Sequence, residues 1–372
     1  MEDLRLIKLA KNILNYSIEL KPNEKLLIDV SGEDALPLAK QLMKEAYIIG
    51  AIPFYNITNY ELLKLTLQNL TEEQVKTWAR LDLDKMREMD ATVIIKAASN
   101  TAELSKVDKE KLDLYNKMYF HPVHIEERVK NKKWCLLRYP NNSMAQANNM
   151  DLEEMENFYF NVCNVDYSKM SKAMDNLVNL MNNTDKVHIV SKNTDLTFSI
   201  KGIAAQKYCG NFNLPDGEVA TAPVKNSVNG YITYNTETHF NGSKFNNVYF
   251  EFENGKIVKA TSDNSELLNA ILDTDEGARY IGEFALGLNP YIEKPVGDTL
   301  FDEKIKGSFH FTPGESLKDS DNGNRSAIHW DIVSIQTAEH GGGEIWFDDV
   351  LIRKDGIFVL EELKPLNPEN LK

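Results

Sequence analysis

The chain has 372 residues, a formal net charge of −14, and 42% hydrophobic and 26% charged residues. That length favours two domains over a single core. The acidic balance argues against nucleic acid or an anionic membrane as main partner, since both need clustered positive charge. Cys135, Cys163 and Cys209 are dispersed and odd in number, with no CxxC pair. They exclude a disulfide framework or a thiolate zinc site and read as small buried hydrophobes. The N-terminal Met1-Glu2-Asp3-Leu4-Arg5 offers no apolar signal core, and no run approaches a membrane span. A cytoplasmic protein is the expectation.

In chain order, residues 4–18 place Leu6, Ala10, Ile13 and Leu14 on one helical face. Residues 25–30 predict a strand, and 34–49 a helix with Pro37 in its first turn and Gly50 as its stop. Further strands are predicted at 52–57, 91–97 and 134–138, with helical segments between them. Such alternation points to an α/β N-terminal domain with a mainly parallel sheet. Helices at 151–160 and 166–182 end in the turn cluster Asn182-Asn183-Thr184-Asp185. The domain boundary is expected there, giving 1–185 and 186–372.

Beyond it the pattern changes to hairpins: 187–191 with 196–201, 247–252 with 256–260, and 344–352 with 356–360. Asn254-Gly255 and Asp355-Gly356 supply the positive φ angles that tight hairpins need. One helix, about 264–273, interrupts this α+β, mostly antiparallel C-terminal domain.

Several familiar motifs are missing. Ser31-Gly32-Glu33-Asp34 has two acids where a pyrophosphate needs bare amides, and no GxxxxGK[ST] loop exists. Asp319-Ser320-Asp321-Asn322-Gly323 has its glycine one place early for a calcium loop, and Trp330 at the twelfth position. His121 and His124 flank Pro122 in a predicted loop leading into a helix. His188 and His239 lie in hairpins without an acidic partner at a telling spacing, and His340 precedes a triple glycine.

The informative segment is Ser326-Ala327-Ile328-His329-Trp330-Asp331-Ile332-Val333, predicted to be a short buried strand. Alternation puts His329 and Asp331 on one side, opposite Ile328, Trp330 and Ile332. Gly307–Thr312 is a second strand-like run bearing His310, and Glu218 follows the Pro215-Asp216-Gly217 turn. Glu283 stands alone in the apolar run 281–287, where an unpaired carboxylate would cost several kcal/mol and so needs a cation. Glu218, Glu283, His310, His329 and Asp331 together make a donor set for two divalent metals (zinc, cobalt, manganese or magnesium) roughly 3.5–4 Å apart.

Three motifs in order, Asn213-Leu214-Pro215-Asp216-Gly217-Glu218-Val219, Ile281-Gly282-Glu283-Phe284-Ala285-Leu286-Gly287 and Asn324-Arg325-Ser326-Ala327-Ile328-His329-Trp330-Asp331, resemble the M29 metallopeptidases, the aminopeptidase T and S group. The likeness extends over most of the chain, including Leu20–Glu24 and Glu45–Ala51. It implies a C-terminal catalytic domain, a homodimer enclosing a cavity, and a metal-dependent aminopeptidase acting on small peptides. It also implies that Glu218, Glu283 and Asp331 hold one metal and Glu283, His310 and His329 the other. Glu283 or Glu315 is expected to shuttle the proton, and Arg325 or Glu315 to assist the tetrahedral intermediate.

One departure bears on activity. The family's tyrosine seven residues after the histidine matched by His310 is Leu317 here, and the stretch from His310 to His329 is shortened. The alternative expectation is therefore a metal-binding homologue with weak or no peptidase turnover.

Overall fold

The computed structural model describes residues 3–100 and 102–372, so Met1 and Glu2 lie outside the described residues. The chain forms two compact units, one running to Asn164 and including Gly210–Leu214, the other Val165–Cys209 with Pro215–Lys372.

The first unit is built on parallel strands β1 (Lys25–Ser31), β2 (Ile52–Thr58), β3 (Ala91–Lys96) and β4 (Lys133–Arg138), ordered β2-β1-β3-β4. The short strand Asn213–Leu214 adds to β4, again parallel. Leu26, Ile28 and Val30 of β1 are completely buried, which commits one face of the sheet to the core. Between β1 and β2 the helix Leu36–Ile49 carries Pro37 in its first turn and ends at Gly50, whose φ of 85° only glycine adopts freely. Between β2 and β3 the helix Glu72–Arg87 starts from Thr71, whose hydroxyl caps the Gln74 N–H. His121-Pro122-Val123-His124, predicted as a loop, lies within a π-helical segment, Asn116–Val129. A widened turn tolerates the missing proline N–H that would break a regular helix.

The second unit contains an eight-stranded antiparallel sheet and a separate five-stranded one, beside a two-stranded ribbon. Helix Tyr167–Asn183 packs within this unit, against strands Gln206–Tyr208 and Glu218–Thr221, burying Met170, Met174, Leu177 and Met181. The predicted strand 344–352 is two strands, Gly343–Phe347 and Val350–Lys354. They turn at Asp348-Asp349, both at positive φ (46° and 66°), a tight turn that hides in an acidic pair rather than an Asn-Gly. All three cysteines are buried and none forms a disulfide. No helix among the described residues is long and apolar enough to cross a membrane.

Candidate metal centre

The five-stranded sheet of the second unit carries the site. Its central strands Glu218–Thr221, Ile281–Gly287 and Ser308–Pro313 are antiparallel, with Gly287 opposite Glu218, Ala285 opposite both Ala220 and His310, and Thr312 opposite Glu283. Strand alternation therefore sorts the side chains by face. Phe284, Leu286, Phe309 and Phe311 point into the apolar core, where Phe198 meets Phe284 and Phe311 edge-on or tilted. Glu218, Glu283 and His310 share the other face with Ala220, Ala285 and Gly287, small residues that leave room between the functional groups.

His329 and Asp331 arrive differently from the prediction. Ser326–Ile332 forms no regular strand: one bridge, His329 to Gly314, and backbone hydrogen bonds with Phe311, Pro313 and Glu315 hold it, and regular pairing begins only at Val333. Gly314 (φ 111°) makes that bridge possible, because a Cβ there would stand 2.1 Å from the Ile328 carbonyl oxygen. The predicted alternation survives without the strand: Ile328, Trp330 and Ile332 are buried, while His329 and Asp331 face the other side.

All five predicted donors converge. His310 Nε2 is 3.5 Å from both Glu218 Oε2 and Glu283 Oε1. His329 Nε2 is 3.1 Å from Glu283 Oε2 and 3.2 Å from Asp331 Oδ1. Ligand atoms within 4.8 Å of one another define two groups, Glu218/Glu283/His310 and Glu283/His329/Asp331. Glu283 is common to both, as the resemblance implies. The rest of the partition differs from that implication: Asp331 groups with His329, and His310 with Glu218.

This arrangement fits two divalent cations. Glu218 Oε2 and His310 Nδ1 are buried without a hydrogen-bond partner, a costly state that a bound cation at the carboxylate relieves. Outer contacts already orient the donors. The His329 Nδ1–H donates to the Glu315 carbonyl oxygen at 2.8 Å, which leaves Nε2 as the free lone pair. The Thr312 hydroxyl holds Asp331 Oδ1 at 2.8 Å.

Electrostatics point the same way. Burial works against a charged His310, yet Glu283 and Glu218 outweigh it and lift the imidazole to about 9. Burial likewise opposes charge on His329, which Asp331 and Glu283 lift to about 12. Burial pushes Asp331 and Glu283 upward, but the histidines hold both below the usual carboxylate range. Without cations, protons on the imidazoles thus balance the carboxylates.

A stability prediction follows from that balance. Both imidazoles start from an ordinary value of 6.5 and are raised in the folded state. Their stabilisation is complete below the unfolded value and declines above it, being lost for His310 as pH rises through about 9 and for His329 only through about 12. Melting in chelator should therefore show Tm falling between pH 7 and 10, and saturating divalent metal should flatten the slope. A metal-free Tm that climbs over this range would contradict the assignment.

Sequence reasoning missed Lys304 and Glu303. Lys304 is 2% exposed, and its ammonium contacts Glu218 Oε1, with Glu303 Oε1 at 2.8 Å and Asp216 Oδ1 at 3.6 Å. Gly287 allows this approach, since a Cβ there would lie 2.4 Å from the Ile305 carbonyl oxygen. A lysine in Asp302-Glu303-Lys304 looks like any solvated charge run, so only the third dimension reveals it. Tyr208 was also missed; it pairs in register with Glu218, and burial, then the Glu283 and Glu218 carboxylates, keep its phenol protonated.

Glu315 and Arg325 are placed beside the cluster rather than in it. The Glu315 carboxylate accepts the Ser326 N–H at 2.5 Å and faces Arg325 Nε at 3.8 Å. Arg325, largely exposed, donates to Asp321 at 2.6 and 2.8 Å. His188, read as lacking an acidic partner, meets Asp195 at 2.8 Å across its hairpin.

A buried sheet face with two carboxylate–imidazole groups sharing one glutamate defines a dinuclear metal-dependent hydrolase. The profile of the family described as "Thermophilic metalloprotease (M29)" matches residues 2–358, and the chain belongs to that family. It is 26% identical over 339 residues to Aminopeptidase 2 of Geobacillus stearothermophilus, covering 80% of each chain. Among solved structures, wild-type AmpT from Thermus thermophilus superposes with a TM-score of 0.78 at 21% identity, over 96% of this chain and 99% of that one. A 2,5-dihydroxypyridine dioxygenase from Pseudomonas putida KT2440 also shares the fold, with a TM-score of 0.61 at 13% identity over 96% and 98%. The fold alone thus spans more than one chemistry.

Proposed function

We propose that the chain is an aminopeptidase that removes N-terminal residues from small peptides, with residues 186–372 as its catalytic domain. The observation that carries this reading is the pair of donor groups joined through Glu283, in a chain of a metallopeptidase family. Zinc, cobalt, manganese or magnesium held by Glu218, Glu283, His310, His329 and Asp331 would supply Lewis acidity and an activated water.

The chain's own groups do the rest. Glu315 acts through its carbonyl oxygen, fixing the His329 tautomer, and Arg325 steadies the Asp321–Ser316 loop beside it. Glu283 is the proton carrier between water and leaving amine. Tyr208 takes the part that Leu317 cannot. Its protonated phenol donates a hydrogen bond to the developing oxyanion, where a neutral donor in a dry site is effective. The chain's net charge of −14 favours the approach of a substrate's α-ammonium, which favours chain ends over internal bonds.

We also assign a homodimer. What supports it is edge strand β2, where Ile52, Phe54, Tyr55 and Ile57 are all exposed, an unprotected apolar edge that an isolated chain would leave prone to aggregation.

Hydrolysis of Leu- and Arg-arylamides should require divalent metal, stop in chelator, and return on metal addition. Tyr208→Phe should lower kcat about a hundredfold with little change in KM. Activity indifferent to chelation would sink the reading. Leu317 favours one competing view, a metal-binding homologue without turnover, and full metal occupancy with no hydrolysis of a broad peptide panel would establish it.

A further inference from the structure

The first unit holds a cavity of about 550 Å³ that plays no part in the metal centre. It lies where β1 and β3 end side by side, with Ser31 opposite Lys96 in register and both lining it. The chain leaves β1 toward β2 on one side and returns to β3 on the other, so this is the point where strand order reverses. Open parallel sheets place ligand crevices at the carboxyl ends of their strands at such points. The volume also falls within the roughly 300–1,000 Å³ usual for small-molecule pockets.

Its polar lining is unevenly satisfied. Asp82 receives the Tyr119 hydroxyl at 2.5 Å, and Lys85 donates to Asn56. Arg128 is 7% exposed, yet among the described residues no carboxylate pairs with it. Its Nη1 reaches only the neutral ring of His124 at 3.0 Å, and its Nε has no partner at all. Burial first, then Arg128 and Lys96, hold that imidazole down at about 3, so it accepts and cannot share the charge. Asp29 attracts Arg128 electrostatically, but no ion pair joins them. Arg128 is buried and Asp29 half-buried, and leaving the two charges apart is expensive. A molecule that bears both complementary charges removes that cost. Beside them stands an aromatic wall, with Trp78 and Tyr119 centroids 4.3 Å apart and Tyr115 and Tyr119 5.1 Å apart.

We propose that this pocket binds a free α-amino acid with an aromatic or large aliphatic side chain. Asp29 takes the ammonium, Arg128 the carboxylate, and Trp78, Tyr115 and Tyr119 the side chain. The inference rests on the first unit alone and stands whatever reaction the second unit performs.

The test is calorimetric titration of the full chain, kept in chelator so that no metal can hold the ligand elsewhere. L-phenylalanine should bind saturably. 3-Phenylpropanoate, which lacks the ammonium, and 2-phenylethylamine, which lacks the carboxylate, should each bind at least about tenfold more weakly. Asp29→Asn and Arg128→Met should weaken phenylalanine by a similar factor. Should the arginine variant not fold, the isosteric Asp29→Asn and the two analogues decide the matter. Absence of saturable binding overturns the proposal. So does equal affinity for either singly charged analogue, or an Asp29→Asn protein that binds phenylalanine unchanged.

Discussion

Glu283→Gln is expected to lower kcat/KM by on the order of a thousandfold, about 4 kcal/mol of transition-state stabilisation. It should also strip metal from both donor groups at once. Glu283 is the one residue common to them, with one oxygen 3.5 Å from His310 and the other 3.1 Å from His329. A glutamine keeps the size and one acceptor oxygen but replaces the other by an NH₂ that repels a cation and donates where donation is useless. Metal analysis of the dialysed variant separates this from a mere loss of proton transfer. Near-zero occupancy with a folded chain supports the shared-ligand role. Full occupancy with lost activity would confine Glu283 to proton transfer, and full occupancy with retained activity would remove it from the site.

Lys304→Met should destabilise the metal-free protein by about 3–5 kcal/mol, the usual cost of breaking a buried ion pair from one side. Its ammonium contacts three acids at once, the buried Asp216 and Glu218 and the half-buried Glu303. Burial already pushes Glu303 well above the carboxylate range with Lys304 opposing, and removing the lysine would push it further. Methionine preserves length and apolar volume, so the change tests charge rather than packing. Part of the loss should return on metal addition, because a divalent cation at Glu218 restores positive charge to the same acids. Melting curves with and without metal check both statements. A variant as stable as the parent in chelator would show that the acids are neutral and the lysine dispensable. The two substitutions thus act in opposite directions on metal dependence, one removing the ion's seat and the other making the fold lean on the ion.

The parallel sheet was legible because Leu26-Leu27-Ile28 and Val93-Ile94-Ile95 are short apolar runs separated by amphipathic helices, a pattern with few other solutions. The five donors were legible for a different reason. A carboxylate in Ile281–Gly287 or an imidazole between Phe309 and Phe311 has no bland explanation, since burial without a partner is too costly. Lys304 escaped because its neighbours in sequence are acidic and polar, while its burial depends on Gly287 and on a strand over eighty residues upstream. Tyr208 escaped likewise, since only the register of two short strands puts it opposite Glu218. The cavity of the first unit was invisible because Asp29, Trp78 and Arg128 meet only through the reversal in strand order. The division of donors between two groups was not readable either, because residues two apart on one extended segment carry no record of which neighbour they face.

The excursion of Gly210–Leu214 into the first unit has a consequence for how the gene can be divided. The chain leaves the first unit after Asn164, visits it again to lay Asn213–Leu214 beside β4, and only then begins the strand that starts at Glu218. A single cut near residue 165 therefore does not yield two self-sufficient halves: the first would lose the neighbour of β4, and the second would carry a stretch shaped for another sheet. The donor Glu218 sits four residues past that stitch, so the two units form one inheritable piece, and insertion or exchange of whole domains must respect three crossings rather than one.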